Sequence, residues 1–448
     1  MMNGMPGSET AASWIRRHGP ALAFFIVAIA LFLIANRGAY RGYFADDELD
    51  NLAFTNQLFA SDFVEGLIEP VFYQNNFRPA GHLFFRLMGD RFGLWFPPYV
   101  GALQAIHLLN VALVWLVLRR LQLPAVACGA GAMLFAFHMA TFDVYWKPMY
   151  VFDLLCGTFC LVTLLLWMAD SWIAWGLGLV SMWLAFRSKE IAVMLPVAMA
   201  AYELLSGRRR WRRLIPFAAF SLWFGLQGLS HGAGLKTDYS LSFHASDLWK
   251  TVLFYASKLV TVPYEGAALI VLAAAVLAAV FFVRDWRLLF GLILFGAMIV
   301  PMLLLPGRLF GAYLYVPLIG FSVAAGCVAA GRGYAGRGLA PHGWLLGLFL
   351  MMWLSWNYVN LRAMRRAWLI EAEDRRMYVA ALTGLALEQP GITTFVYEDG
   401  PLAEYGANAA VRWLHPGKPI VMVSEQESKT EVLMESPILA TSAHPYRR

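Results

Sequence analysis

Ala21-Leu-Ala-Phe-Phe-Ile-Val-Ala-Ile-Ala-Leu-Phe-Leu-Ile-Ala35 is an unbroken apolar run, and soon after it comes Tyr43-Phe-Ala-Asp46-Asp47-Glu48-Leu-Asp50, a cluster of carboxylates. Arg16, Arg17 and His18 precede the run, and no small-residue cleavage site leading into a soluble body follows it, so it reads as a retained first membrane span. Apolar segments recur near residues 98–118, 124–142, 150–169, 171–186, 190–206, 214–230, 265–283, 288–306, 310–330 and 343–361. A helix needs roughly 20 apolar residues to cross a bilayer, so the pattern predicts about eleven spans. Composition agrees. Of 448 residues, 60% are hydrophobic and 14% charged, and mean hydropathy is +0.58. Soluble domains carry about 25% charged residues, so a soluble globular protein is excluded. The expected fold is an all-α polytopic membrane protein.

The formal charge of +6 lies mostly in short segments between apolar runs, where it orients the chain, and it does not argue for nucleic acid. Alternate turns carry Arg119 and Arg120, Asp170, the group Arg208, Arg209, Arg210, Arg212 and Arg213, Arg284 and Arg287, and Arg332 and Arg337. Cytoplasmic loops are enriched in basic residues, so these turns are expected inside. The acidic loop 36–97, the turns 138–149, 187–190 and 307–309, the segment 231–264 and the tail after 362 then share the outer side. Arg362, Arg365 and Arg366 fall outside against that rule. The stretch 246–265, apolar but interrupted by Lys250, Lys258, Pro263 and Glu265, reads as an amphipathic interfacial helix. Two domains are expected: a membrane domain over 1–361 and a small α/β extramembrane domain over 362–448, with a helix to about residue 388 and β-like runs at 393–397 and 419–423. Cys128, Cys156, Cys160 and Cys327 all lie in apolar runs and suggest neither a disulfide framework nor a zinc site.

The chemistry gathers on the outer face. Adjacent carboxylates such as Asp46 and Asp47 repel each other, which favours binding a cation, here a divalent ion, or service as a base with a raised pKa. A solvated acidic loop is the plainer alternative. Asn75-Asn76-Phe77-Arg78-Pro79-Ala80-Gly81-His82 closes the same loop, and His138, Asp143, Lys147 and Asp153 follow around the third and fourth spans. Singly, His138 or Lys147 could merely snorkel to the interface. Arg187-Ser188-Lys189-Glu190 puts basic residues where orientation does not require them, which suggests an anionic ligand. Arg308, Tyr313 and Tyr315 stand at the mouth of the tenth span, where Arg308 could equally be an interfacial anchor. Carboxylates beside guanidinium and ammonium groups suit transfer from a lipid-phosphate donor: the cations hold the departing phosphate while a carboxylate deprotonates the acceptor hydroxyl. Phosphate-loop, dinucleotide and zinc-protease motifs are absent from the sequence.

Taken in order, Asp46-Asp47, Phe77-Arg78-Pro79, His107-Leu-Leu-Asn110, His138 with Asp143, Asp153-Leu-Leu, Ser188-Lys189-Glu190 with Pro196, and Tyr313-Leu-Tyr315-Val-Pro317 resemble the membrane-embedded glycosyltransferases of the GT-C fold. The nearest likeness is to the protein O-mannosyltransferase-like branch, which includes the transmembrane and tetratricopeptide-repeat O-mannosyltransferases, and it covers about residues 20–330. The resemblance implies a polyprenyl-phosphate-linked sugar donor, a catalytic acid at Asp46 or Asp47, and phosphate-binding roles for Arg78, Lys189 and Arg308. His82, His138, Asp143, Lys147, Glu190 and Tyr313 complete the expected substrate site. The acceptor is expected to be a glycan, a lipid or a protein, and the location a bacterial inner membrane, in contact with its lipids, with the site facing the periplasm. The competing class is a transporter or flippase for a lipid-linked or anionic substrate.

Overall fold

A computed structural model describes residues 11–73, 77–232, 240–263, 265–331, 343–388, 391, 394–397, 400–415, 421–424 and 438–440. Asn75, Asn76, Arg332 and Arg337, and the first residues of both β-like runs, lie outside the described residues. The chain is overwhelmingly helical. Among the described residues, five helices are long and apolar enough to cross a membrane: Leu22–Arg41, Pro97–Arg120, Pro148–Met168, Glu265–Val283 and Trp286–Leu303. A sixth is added if Ala125–Phe137 and Met139–Tyr145, bent by 66°, form one crossing.

Three apolar stretches that are about 20 residues long in sequence divide into a short α-helix and a 3₁₀ segment. Ala125–Phe137 is followed by Met139–Tyr145, Leu195–Ser206 is preceded by Glu190–Met194, and Leu318–Ala330 is preceded by Gly311–Leu314. The α-helical parts have 13, 12 and 13 residues, about 20 Å each at 1.5 Å per residue, against a hydrocarbon core of about 30 Å. Each 3₁₀ segment carries or adjoins a charged residue or tyrosine of the expected site. The α-helical i to i+4 hydrogen bonding thus gives way to i to i+3 bonding on the side where the polar groups gather.

Glycines bring these helices together. A Cβ on Gly320 would lie 2.2 Å from the backbone nitrogen of Phe295, and one on Gly131 would lie 2.6 Å from the carbonyl of Ser322. Leu318–Ala330 is therefore in backbone contact with both Trp286–Leu303 and Ala125–Phe137, the small-residue packing that membrane helices favour. Interhelical hydrogen bonds add to it. His107 Nδ1 and Asn110 Nδ2 lie 2.9 and 3.0 Å from the Tyr315 hydroxyl, and Asn110 also donates to the Leu154 carbonyl at 2.9 Å. Outward faces remain apolar, with Ile270 and Leu277 each 71% exposed. All four cysteines are buried free thiols.

The acidic loop 36–97 is itself folded, into Asp46–Asn56, Ala60–Ile68 and Pro79–Phe92. Asp46, Asp47 and Glu48 occupy the first turn of Asp46–Asn56, where unpaired N–H groups and the helix dipole favour negative charge. Pro79 starts the third of these helices, where a missing N–H costs nothing. The stretch read as an interfacial helix forms Ala245–Val260 and ends at Thr261, whose φ is +62°.

Gly343–Glu388 is one continuous helix of 46 residues, about 69 Å long. The boundary expected at 361/362 falls within it. Beyond it, Thr394–Tyr397 lies between the parallel strands Val421–Ser424 and Ile438–Ala440. The helix Glu404–Leu414 packs on Asp46–Asn56 and Pro79–Phe92, with Trp413 against Gly89 and Gly406 against Asp46.

Candidate functional site

The first turn of Asp46–Asn56 divides its carboxylates between two environments. Asp46 Oδ1 accepts the Ala403 N–H at 2.7 Å, and Asp47 Oδ1 accepts the Tyr405 hydroxyl at 2.9 Å. Both partners belong to the C-terminal segment. Glu48 turns inward and is fully buried. Its carboxylate reaches back to the Ala45 N–H and accepts the Met149 N–H at 3.4 Å. Burial pushes Glu48 up to about 7, against the opposing pull of its backbone hydrogen bonds, Lys147 and Arg375. Burial also raises Asp46, opposed by the Ala403 hydrogen bond, and raises Asp50, opposed by Arg412.

Across from this turn lies a chain of paired charges. Arg78 grips Glu190 with two prongs, Nε to Oε1 at 2.8 Å and Nη2 to Oε2 at 3.1 Å. Lys189 Nζ lies 2.7 Å from both oxygens of Asp153, with side-chain exposures of 9% and 4%. Its ammonium also sits 4.2 Å from the centre of the Tyr313 ring, whose hydroxyl accepts from Arg308 Nε at 3.3 Å. Thus Arg308, Tyr313, Lys189 and Asp153 form one connected series drawn from three separate parts of the chain. Lys147 and Asp143 make a further pair at 2.8 Å.

The structure therefore brings Arg78, Lys189, Glu190, Arg308 and Tyr313 together, with Asp143 and Lys147 beside Glu48. The two histidines have positioning contacts. His82 Nδ1 accepts the Arg78 N–H at 2.9 Å, and its ring packs on Phe54, Phe77 and Phe152. Burial lowers it to about 3, so it stays neutral. His138 is buried, with Nε2 3.0 Å from the Leu259 carbonyl and Nδ1 accepting from the Ala140 N–H at 3.3 Å, which ties Ala245–Val260 to the turn after Ala125–Phe137.

Sequence reasoning gave Glu48 no separate role within the acid cluster and did not pair Asp153 with Lys189. The signal available for Asp153 was a carboxylate at the start of an apolar run, a placement that calls for a buried counter-charge. Among the described residues, no group of three or more His, Cys, Asp or Glu side chains is arranged to hold a metal ion. Asp46 and Asp47 offer two carboxylates, and each already accepts a hydrogen bond from the tail, a poor fit to the divalent ion expected from sequence.

Chemically, the arrangement combines part-exposed carboxylates with cations of which Arg78, Lys147 and Lys189 are paired with Glu190, Asp143 and Asp153. An incoming phosphate could share Arg308 and Tyr313 at one end of the series, and could reach Lys189 or Arg78 by competing with Asp153 or Glu190. No family model, characterised protein or solved structure matches this chain.

Proposed function

We propose that the chain is a membrane glycosyltransferase that moves a sugar from a polyprenyl-phosphate donor to an acceptor hydroxyl at the external face. The observation that carries this reading is the series Arg308, Tyr313, Lys189 and Asp153, with Arg78 and Glu190 adjoining it, on the side of the helices capped by the acidic loop. In this scheme Asp46 or Asp47 takes the proton of the acceptor hydroxyl, whose oxygen forms the new bond to the sugar's anomeric carbon. The bond from that carbon to the phosphate oxygen breaks, and its electron pair stays on the lipid phosphate. Arg78, Lys189 and Arg308 stabilise the charge that develops there. The raised pKa of Asp46 supports its part as base. The residues resemble the GT-C O-mannosyltransferase-like branch in the same sense.

The proposal includes about eleven crossings over 1–361, a tail over 362–448 on the outer side, and a bacterial inner membrane with the site facing the periplasm. Glycan, lipid and protein hydroxyls are all chemically admissible acceptors. Incubating the purified chain with radiolabelled polyprenyl-phosphate sugars tests the reading. Label should leave the lipid fraction, and movement of intact donor across vesicles without loss of label would instead favour a flippase.

A further inference from the structure

Where the first long helix ends, the chain continues through the 3₁₀ segment Arg37–Arg41, and this turn lies against the middle of Gly343–Glu388. Between them is a pocket of about 490 Å³ lined by Arg37, Arg41, Arg362, Arg365 and Arg366. No acidic residue lines it. Among the described residues, none of the five arginines forms an ion pair, whereas Arg375 and Arg376 further along the same helix pair with Glu371 and Glu373. Like charges gathered without counter-charge repel, so the pocket favours an anion.

Arg365 sets the geometry. It is 8% exposed, donates to the Ala35 carbonyl at 3.0 Å and to Asn36 Oδ1 at 2.7 Å, and lies 4.7 Å from the centre of the Trp146 ring. Its Nε is buried without a partner. A buried guanidinium donor that is left unsatisfied costs free energy unless a ligand accepts from it. Trp146 is held in turn, since its Nε1 donates to the same Asn36 oxygen at 2.9 Å. The pocket is distinct from the paired charges described above. Trp146 and Trp368 stand edge to face at 5.7 Å between Arg365 and Lys147, the latter 5.8 Å from the Trp368 ring.

We infer that this pocket binds the phosphate head group of a membrane lipid. Guanidinium groups match phosphate oxygens with paired donors, and the volume is within the range of about 300–1,000 Å³ of ligand pockets. A lipid is favoured over a soluble anion because apolar side chains adjoin the arginines: Ile34 lines the pocket at 64% exposure, and Tyr358 and Leu369 line it as well. Phosphate on the arginines leaves the acyl chains to run along the Ile34 face. The site also accounts for Arg362, Arg365 and Arg366 standing where membrane orientation would not place them. This inference goes beyond the proposed transfer reaction and does not depend on it.

The test is equilibrium binding to the full chain in neutral detergent, with dioleoyl phosphatidic acid, dioleoyl phosphatidylcholine and inorganic phosphate as separate probes. Phosphatidic acid should bind at least about tenfold tighter than either of the others, and Arg362→Gln/Arg366→Gln should lose at least about tenfold of that affinity. Both substituted side chains are exposed, so the lipid-free unfolding temperature should be unchanged, whereas Arg365→Gln would confound binding with loss of the Ala35 and Asn36 contacts. Equal affinity for the two lipids, or an unaffected double variant, would overturn the site. Inorganic phosphate binding as tightly as phosphatidic acid would overturn the lipid assignment. None of these readouts requires turnover, so failure here is distinguishable from failure of the transferase reading.

Discussion

Asp46 Oδ1 accepts the backbone N–H of Ala403 at 2.7 Å, joining residues 357 positions apart and tying the first turn of Asp46–Asn56 to the start of Glu404–Leu414. The tail is thereby held on the carboxylates proposed for catalysis. Gly406 makes the approach feasible, because a Cβ there would lie 2.1 Å from the Asp46 carboxylate oxygen and 2.9 Å from its Cα. Gly406→Leu should lift the tail, seen as faster proteolytic removal of the segment after residue 388 with the membrane part intact. Tyr405→Phe removes only the bond to Asp47 and should cost about 1 kcal/mol or less. Equal protease resistance in Gly406→Leu and the native chain would show that this contact does not hold the tail.

Glu48 gives a pH dependence of defined sign. Its folded pKa of about 7 is above its ordinary value of 4.5, so between those values the folded state binds more protons than the unfolded state. Stability from this group is therefore full below about 4.5, declines as pH rises toward 7, and is flat above. The loss is at most roughly 3 kcal/mol. Unfolding temperature measured from pH 4.5 to 8 should fall less in Glu48→Gln than in the native chain, and parallel curves would refute the assignment.

The pair Lys189 and Asp153 is buried, so removing one partner strands a charge. Lys189→Met or Asp153→Asn alone should cost about 3–5 kcal/mol, and Lys189→Met/Asp153→Leu should recover much of it. If Lys189 also holds the donor phosphate, that double variant regains stability without regaining donor affinity. Recovery of both would reduce the pair to a structural role. Arg308→Lys should restore donor affinity only partly relative to Arg308→Ala, because a point charge cannot reproduce a two-pronged contact.

Much of the architecture is legible in sequence because apolar length is a local property. The run 265–283 is the helix Glu265–Val283, and 98–118 lies within Pro97–Arg120. The 3₁₀ segments were not legible, since hydropathy averages over them and does not report where α-helical bonding tightens to 3₁₀. Nor was the continuity of Gly343–Glu388, because the change to polar composition at Arg362 marks a change of surroundings and not a break in the helix. In the site, residue types could be read but partners could not. The pairing of Lys189 with Asp153, and the capture of Asp46 by Ala403, join segments distant in sequence and exist only once the chain is folded.

Orientation rests on the basic turns. Arg287 donates to the Leu121 and Gln122 carbonyls, and Arg210 and Arg213 both pair with Asp170, which groups the turns expected inside into two neighbouring sets. A reporter active only outside the membrane should be silent when fused after Arg213 and active after Arg448. An active fusion after Arg213 together with a silent one after Arg448 would invert the topology.

Donor consumption in the native chain and in the acid variants tests the central claim most directly. With a radiolabelled polyprenyl-phosphate sugar that the native chain consumes, Asp46→Asn should lose transfer and Asp47→Asn should weaken or lose it, by roughly 10²–10⁴ in rate for the base, while both proteins remain folded. Full activity in both single variants and in the double variant would contradict the account, and so would the absence of donor consumption by the native chain across the whole panel of sugars.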